Sequence, residues 1–215
     1  MCRPGTVDAC LQLSYRAAMV VQAGRHAISA GRGRIVLRTS RDGLAAQAGH
    51  DLTIELTRWS GELTVADDLS LRDLTVRMDM QSLVIRDGTG GLKPLTDRDR
   101  REIAMNARKV LRADRHPVAS FTASVFESGA GGSGVLRGTL MLAGAQRPVQ
   151  LQVSGNGPGS YHATATVLQS EFGITPYTAF LGALRVRDAV HVEIDADVNP
   201  EPDLASHGRV PGTAP

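Results

Sequence analysis

From Arg34 onward, apolar and polar residues alternate in short runs, the period of half-buried β-strands. Ile35 and Leu37 share one side of the first run. Leu52, Ile54 and Leu56 alternate with Thr53, Glu55 and Thr57 in the next. After Arg58 the phase slips by one residue, and Trp59, Gly61, Leu63 and Val65 become the in-phase positions, which predicts a bulge or a tight bend. Later runs place in phase Leu74, Val76, Met78 and Met80, then Ala119, Phe121, Ala123 and Val125, then Leu136, Gly138, Leu140 and Leu142. Val149, Leu151 and Val153, then Ala163, Ala165 and Val167, and finally Val190, Val192, Ile194, Ala196 and Val198 complete the series. This predicts eight or nine strands. Turn residues at Asp42-Gly43, Asp67-Asp68, 129–134, 144–146 and 155–159 separate the runs. Connections this short join antiparallel neighbours.

One segment departs from alternation. Thr96 reads as an N-cap with Asp99 in the capping-box position, and Ile103, Ala107, Val110 and Leu111 recur at helical spacing. A helix near 97–112 is predicted, ending before His116-Pro117. Regular strands with one helix point to an all-β, closed antiparallel barrel, since closure removes exposed edges. Such a barrel is either filled by side chains or holds one small ligand. Small residues at the inner positions Ala119, Ala123, Gly138, Ala163 and Ala165 favour a cavity; strand curvature closing a solid interior is the alternative.

Composition narrows the function classes. The 215 residues carry 24 Lys+Arg against 22 Asp+Glu, a net charge of +2, which speaks against holding nucleic acid by phosphate neutralisation. Aromatics are 4% of the chain, too few for a base-stacking platform. Cys2 and Cys10 lie outside every patterned segment and make neither a disulfide framework nor a zinc site. The longest apolar run is Ala17 to Val21, far short of the roughly 20 residues of a spanning helix. It is also short of a secretory signal's core, so the cytoplasm is the expected location. Residues 1–20 read as a disordered arm or an upstream extension of a true start at Met19. Residues 21–198 read as the domain and 199–215, rich in proline, as a disordered tail.

Candidate chemistry is sparse. His50-Asp51 beside Gly49 has no nucleophile motif with it and reads as a turn-stabilising pair. His162 and His191 fall on the polar faces of their strands. The segment Arg86 to Gly91 lacks the Lys-Ser/Thr ending of a phosphate loop and is expected to be a flexible loop that could cover one barrel end. Phe172, Tyr177, Phe180 and Leu181 gather before the last strand with Gly173, Pro176 and Gly182, predicting an irregular crossing. Arg185 and Arg187 follow it. The apolar bulk suits a lipid entrance, a dimer contact or a plug beneath the barrel. No catalytic constellation and no metal site is expected.

Four segments carry a likeness to a known family. They are Trp59-Ser60-Gly61-Glu62-Leu63, the stretch Asp114 to Phe121 with proline four residues before phenylalanine, Gly138-Thr139-Leu140 through Gly144 to Arg147-Pro148-Val149, and Ser170-Glu171-Phe172-Gly173. In their order and spacing they resemble the YceI-like, polyisoprenoid-binding proteins over about Gly31 to Val198. The resemblance implies a lipocalin-like barrel whose apolar lumen holds one long-chain lipid: an isoprenoid, an isoprenoid quinone or a fatty-acid derivative. On that basis Trp59, Met78, Met80, Phe121 and Phe172 are the expected lumen residues, with Tyr177, Phe180 and Arg185 at an entrance. No cofactor beyond the lipid is expected. Stretches 49–52 and 174–186 depart from the family's pattern and suggest a cytoplasmic-type branch. The alternative is a solid-cored interaction module, a homodimer formed through residues 172–184. An enzyme with His50 or Tyr177 as acid–base is the third reading.

Overall fold

The computed structural model describes residues 21–129, 133–157 and 159–198. The N-terminal arm with Cys2, Cys10 and Met19, and the tail from residue 199, lie outside the described residues. In chain order the strands are β1 (Gly24–Ser29), β2 (Gly33–Thr39), β3 (Arg41–Asp42), β4 (Asp51–Leu56), β5 (Trp59–Val65), β6 (Leu71–Asp79) and β7 (Leu83–Thr89). Helix α1 (Asp97–Val110) follows, then β8 (Val118–Ser128), β9 (Gly134–Leu142), β10 (Ala145–Gly155), β11 (Ser160–Leu168), β12 (Thr178–Ala179), β13 (Leu184–Val186) and β14 (Ala189–Asp197). Eleven of these form one sheet in the order β1-β5-β6-β8-β9-β10-β11-β14-β2-β4-β7. All of its pairs are antiparallel. A second, small sheet runs β12-β13-β3.

The strand count exceeds the eight or nine expected because three passes of chain bend in the middle. β1–β2, β4–β5 and β6–β7 are each interrupted at a corner: Ala30–Arg32, Thr57-Arg58 and Met80–Ser82. One half of each pass sits in the β1-β5-β6 end of the strand order, the other half in the β2-β4-β7 end. The sheet therefore curls on itself, and the all-β barrel class read from the alternation is the one observed, but the expected closure is not: among the described residues the ladder ends at β1 and β7, which remain edges because the bent passes split between the two ends of the order. The phase slip after Arg58 is one of these corners.

Ser82 stitches two corners together. It is buried; its hydroxyl accepts from Arg58 N at 3.1 Å and donates to the Asp79 carbonyl at 2.7 Å. Its own carbonyl accepts from Thr57 N at 3.3 Å and Thr57 Oγ1 at 3.0 Å. A bend in a strand leaves ladder groups without their regular partners, and a buried group without a partner is costly, so a buried hydroxyl here replaces the missing ladder.

The capping box at Thr96 is as expected: Asp99 N donates to Thr96 Oγ1 at 3.2 Å and Thr96 N to Asp99 Oδ2 at 2.9 Å. The helix ends at Val110, and Arg112 takes a left-handed φ of 52° before His116-Pro117. Helix α1 lies along β7, which has only β4 beside it in the sheet. Arg100 donates to the Arg86 carbonyl at 2.6 Å and Arg108 to the Leu83 carbonyl at 3.0 Å. Guanidinium groups thereby occupy acceptors of an edge strand that would otherwise invite another chain.

Outside the barrel the arginines form cross-strand ion pairs: Arg38 with Glu193 at 2.6 Å, Arg86 with Glu55 at 2.6 Å and Arg137 with Glu127 at 2.7 Å. No helix among the described residues is long and apolar enough to cross a membrane.

Candidate ligand-binding cavity

The inward side chains do not fill the barrel. They surround a cavity of about 510 Å³. Its wall is drawn from in-phase positions of nearly every barrel strand: Leu37, Leu63, Val76, Leu140, Leu151 and Val192 are examples. No charged side chain lines it among the described residues; the polar contributions come from Ser128, Ser133, Tyr161 and Gln169. Burial pushes the Tyr161 phenol above its ordinary range, so it stays a neutral wall group. Leu69, Phe126, Ser128 and Ser133 come from the tips of the β5–β6 and β8–β9 hairpins and rim one part of the cavity. Leu111, Gln169, Ile174 and Val190 bound another.

Of the residues expected at the lumen, Trp59, Met78, Met80 and Phe121 line this cavity. Trp59 is paired across the ladder with Met78, and Phe121 with Val76 on one side and Leu140 on the other. The indole Nε1 of Trp59 is buried with no hydrogen-bond partner among the described residues, a polar group left unsatisfied in the wall. Ala119, Ala163 and Ala165 also line it.

Gly138 differs from the expectation of open room. A Cβ there would collide with the Phe121 ring and the Thr122 carbonyl, so the aromatic ring already occupies the space that the glycine leaves.

Four expected site residues lie elsewhere. Phe172 is 1% exposed and packs with Ala143, Val167 and Ile174 in a cluster behind the wall, not in it. It sits on a short 3-10 turn, Gln169–Phe172, closed by Gly173 in the left-handed conformation, and Arg112 donates to the Gly173 carbonyl. This is the plug arrangement, and it places the ring one layer out. Tyr177 and Phe180 are exposed and do not line the cavity. Arg185 is paired with Asp42 at 3.3 Å, away from the wall. The irregular crossing predicted here is the turn after β11 and the short pair β12–β13.

The segment Arg86 to Gly91 does not reach the cavity either. His50 Nε2 bonds the Lys93 carbonyl at 2.8 Å, and Arg41 donates to the carbonyls of Gly49 at 2.9 Å and Thr89 at 3.0 Å. A Cβ on Gly90 would strike the Arg41 guanidinium and one on Gly91 the His50 ring. The expected flexible loop is therefore not one: Arg86 to Thr89 is the end of β7, laddered to β4, and Gly90 and Gly91 pack closely against two side chains. Asp51 Oδ1 accepts from Arg41 N at 2.8 Å, so His50 and Asp51 are each engaged in holding turns. His162 bonds Asp195 at 2.8 Å on the outer face. Among the described residues no group of three His, Cys, Asp or Glu is placed to hold a metal ion.

Several wall residues were not singled out from the sequence. Tyr161 is in phase with Ala163 and Ala165, a signal the alternation carries. Leu69 is not: it lines the cavity from a turn, with a φ of 65°.

The fold has solved counterparts. BcnA of Burkholderia cenocepacia matches with a TM-score of 0.52 at 14% identity, covering 79% of this chain and 98% of that one. The Campylobacter jejuni YceI protein matches with a TM-score of 0.53 at 15% identity, covering 69% of this chain and 85% of that one. No curated protein matches the chain. The YceI-like domain matches residues 36–198, which is most of the barrel, and the chain belongs to that family.

Proposed function

We propose that the barrel binds one long-chain apolar lipid, an isoprenoid, isoprenoid quinone or fatty-acid derivative, and carries or sequesters it without catalysis. The observation that supports this is the cavity itself: about 510 Å³ with no charged side chain in its wall among the described residues. Until a guest enters, the apolar wall faces either water or void, and both are unfavourable for carbon surface. A guest that fills the space restores the contacts.

Size sets the class of guest. An apolar cavity of about 150 Å³ takes benzene, so one of about 510 Å³ accommodates on the order of twenty carbons. Each buried methylene contributes about 0.8 kcal/mol, so affinity rises with chain length until the space is full. Recognition then needs few polar groups, and the wall offers few.

Trp59 is the one tryptophan of the chain and lies in the wall, so its emission reports on occupancy directly. Titrating delipidated protein with a prenol and with a long-chain fatty acid is expected to give saturable changes near one lipid per chain. Phe121→Asp, which sets a charge in the wall, is expected to abolish them. Absence of any saturable change with either lipid contradicts the reading. The rival, a solid-cored module that dimerises through residues 172–184, draws its support from the exposure of Phe180 and Leu181. A barrel with this much internal space is a poor fit to it.

A further inference from the structure

The hairpin between β12 and β13 is built against the preferences of its own residues. Phe180 and Leu181 have φ of 51° and 55°, the left-handed region that glycine and asparagine enter at least cost. Ala183 N bonds back to the Phe180 carbonyl at 3.1 Å, so the turn is a closed one. No burial compensates the strain: Phe180 is 64% and Leu181 110% exposed. Ala45 N donates to the Ala183 carbonyl at 2.9 Å, which brings the turn after β3 alongside and sets Leu44, 101% exposed, next to the tip. Strained backbone that holds leucine and phenylalanine out in water does nothing for folding and points to an external contact.

The surroundings say what kind. Arg185 and Arg187 stand at the base of the tip and both act on Asp42, two cations to one carboxylate. Side chains this fully exposed form a protrusion, not a groove, so they suit a soft medium that closes around them. Apolar points with arginines just behind them match the depth profile of a lipid leaflet, acyl boundary in front and phosphate layer behind. The legs of the hairpin also join the cavity wall: Ile174 precedes it, Val190 follows it, and Gln169, another wall residue, donates to the Arg187 carbonyl at 2.9 Å.

We infer that Leu44, Phe180 and Leu181, backed by Arg185 and Arg187, form a tip that docks on an anionic lipid surface. The use of such docking rests on the carrier reading, since a carrier of insoluble lipid has to meet the membrane that holds it; the docking itself needs no occupied cavity.

Co-sedimentation of the full chain with phosphatidylglycerol vesicles and with phosphatidylcholine vesicles tests this. Expected is binding to the anionic vesicles, weakened by salt, and much weaker binding to the zwitterionic ones. The double variant Leu44→Asn, Leu181→Asn is expected to lose at least tenfold in binding while its Tm is unchanged or higher, because asparagine tolerates the left-handed position. Arg187→Gln is expected to cost about fivefold on anionic vesicles only. Absence of vesicle binding, or binding undiminished in the double variant, overturns the inference. So does light scattering that shows a dimer dissolved by the double variant with no vesicle binding, which would make a second copy the occupant. Lipid uptake is read separately from Trp59 emission, so uptake can fail with docking intact, which removes the carrier reading and leaves the tip.

Discussion

The ring of Phe121 lies over Gly138 on the neighbouring strand, in the space a Cβ would need. Aromatic and glycine make one unit of wall. A Cβ on Gly138 meets the backbone carbonyl of Thr122 as well as the ring, so the strand itself has to shift. Gly138→Ala is expected to destabilise by about 1–3 kcal/mol and to weaken lipid uptake by displacing the ring inward. Denaturant midpoints and Trp59 emission titrations measure the two effects. Unchanged stability and uptake would show that the ring moves freely.

Ser82 holds the strand bend from inside. Its hydroxyl serves Arg58 N and the Asp79 carbonyl inside the bend. Ser82→Ala leaves the part-buried Arg58 N–H without its acceptor and the Asp79 carbonyl without its donor, at a cost of about 1 kcal/mol. Urea unfolding is the measurement, and a midpoint equal to that of the wild type would mean that water replaces the hydroxyl.

The pH dependence follows from the outer face. Hydrogen bonds from His162 and Arg34 hold the Asp195 carboxyl below the usual carboxylate range, and one from Arg38 does the same for Glu193. A carboxyl with a lowered folded pKa contributes stability above its unfolded value, and that contribution is lost as pH falls through the folded one. The Tm is therefore expected to stay level from neutral pH down to about pH 5 and to fall below about pH 4. Asp195→Asn is expected to shrink that fall. A Tm that rises on acidification would contradict the assignment.

The helix start is separable from the cavity. Thr96 and Asp99 cap each other, and neither lines the wall. Thr96→Ala is expected to cost about 1 kcal/mol with lipid uptake unchanged. Thermal melts with parallel titrations check both.

Much of this molecule was legible in its sequence, for reasons that differ by element. Alternation has one period and one meaning, so the inward positions of β5, β6 and β14 could be read residue by residue; in β8 a bulge after Ala123 resets the phase, so Val125, expected inside, is exposed and Phe126 lines the cavity instead. The slip at Arg58 marked a real corner because a bend has to reset the phase. The capping box at Thr96 is local, and local signals survive folding. What could not be read depends on partners distant in sequence. Gly138 reads as empty room in the sequence, but the Phe121 ring of the neighbouring strand fills it. Phe172 looked like a lumen ring, but the turn closed by Gly173 swings it behind Ile174 and Val167. The glycines at 90 and 91 looked like freedom and are packing against Arg41 and His50. The tip at Leu181 carries no period at all, and its strain exists only in the folded backbone.

Whether the barrel holds one lipid is decided by native mass spectrometry of the gently purified protein. Expected is a bound mass of one lipid per chain, extractable into organic solvent and falling among isoprenoids, isoprenoid quinones or fatty-acid derivatives, with rebinding to the stripped protein at the same ratio. A chain that flies only at its sequence mass, yields no lipid on extraction and takes up none of the three classes would contradict it.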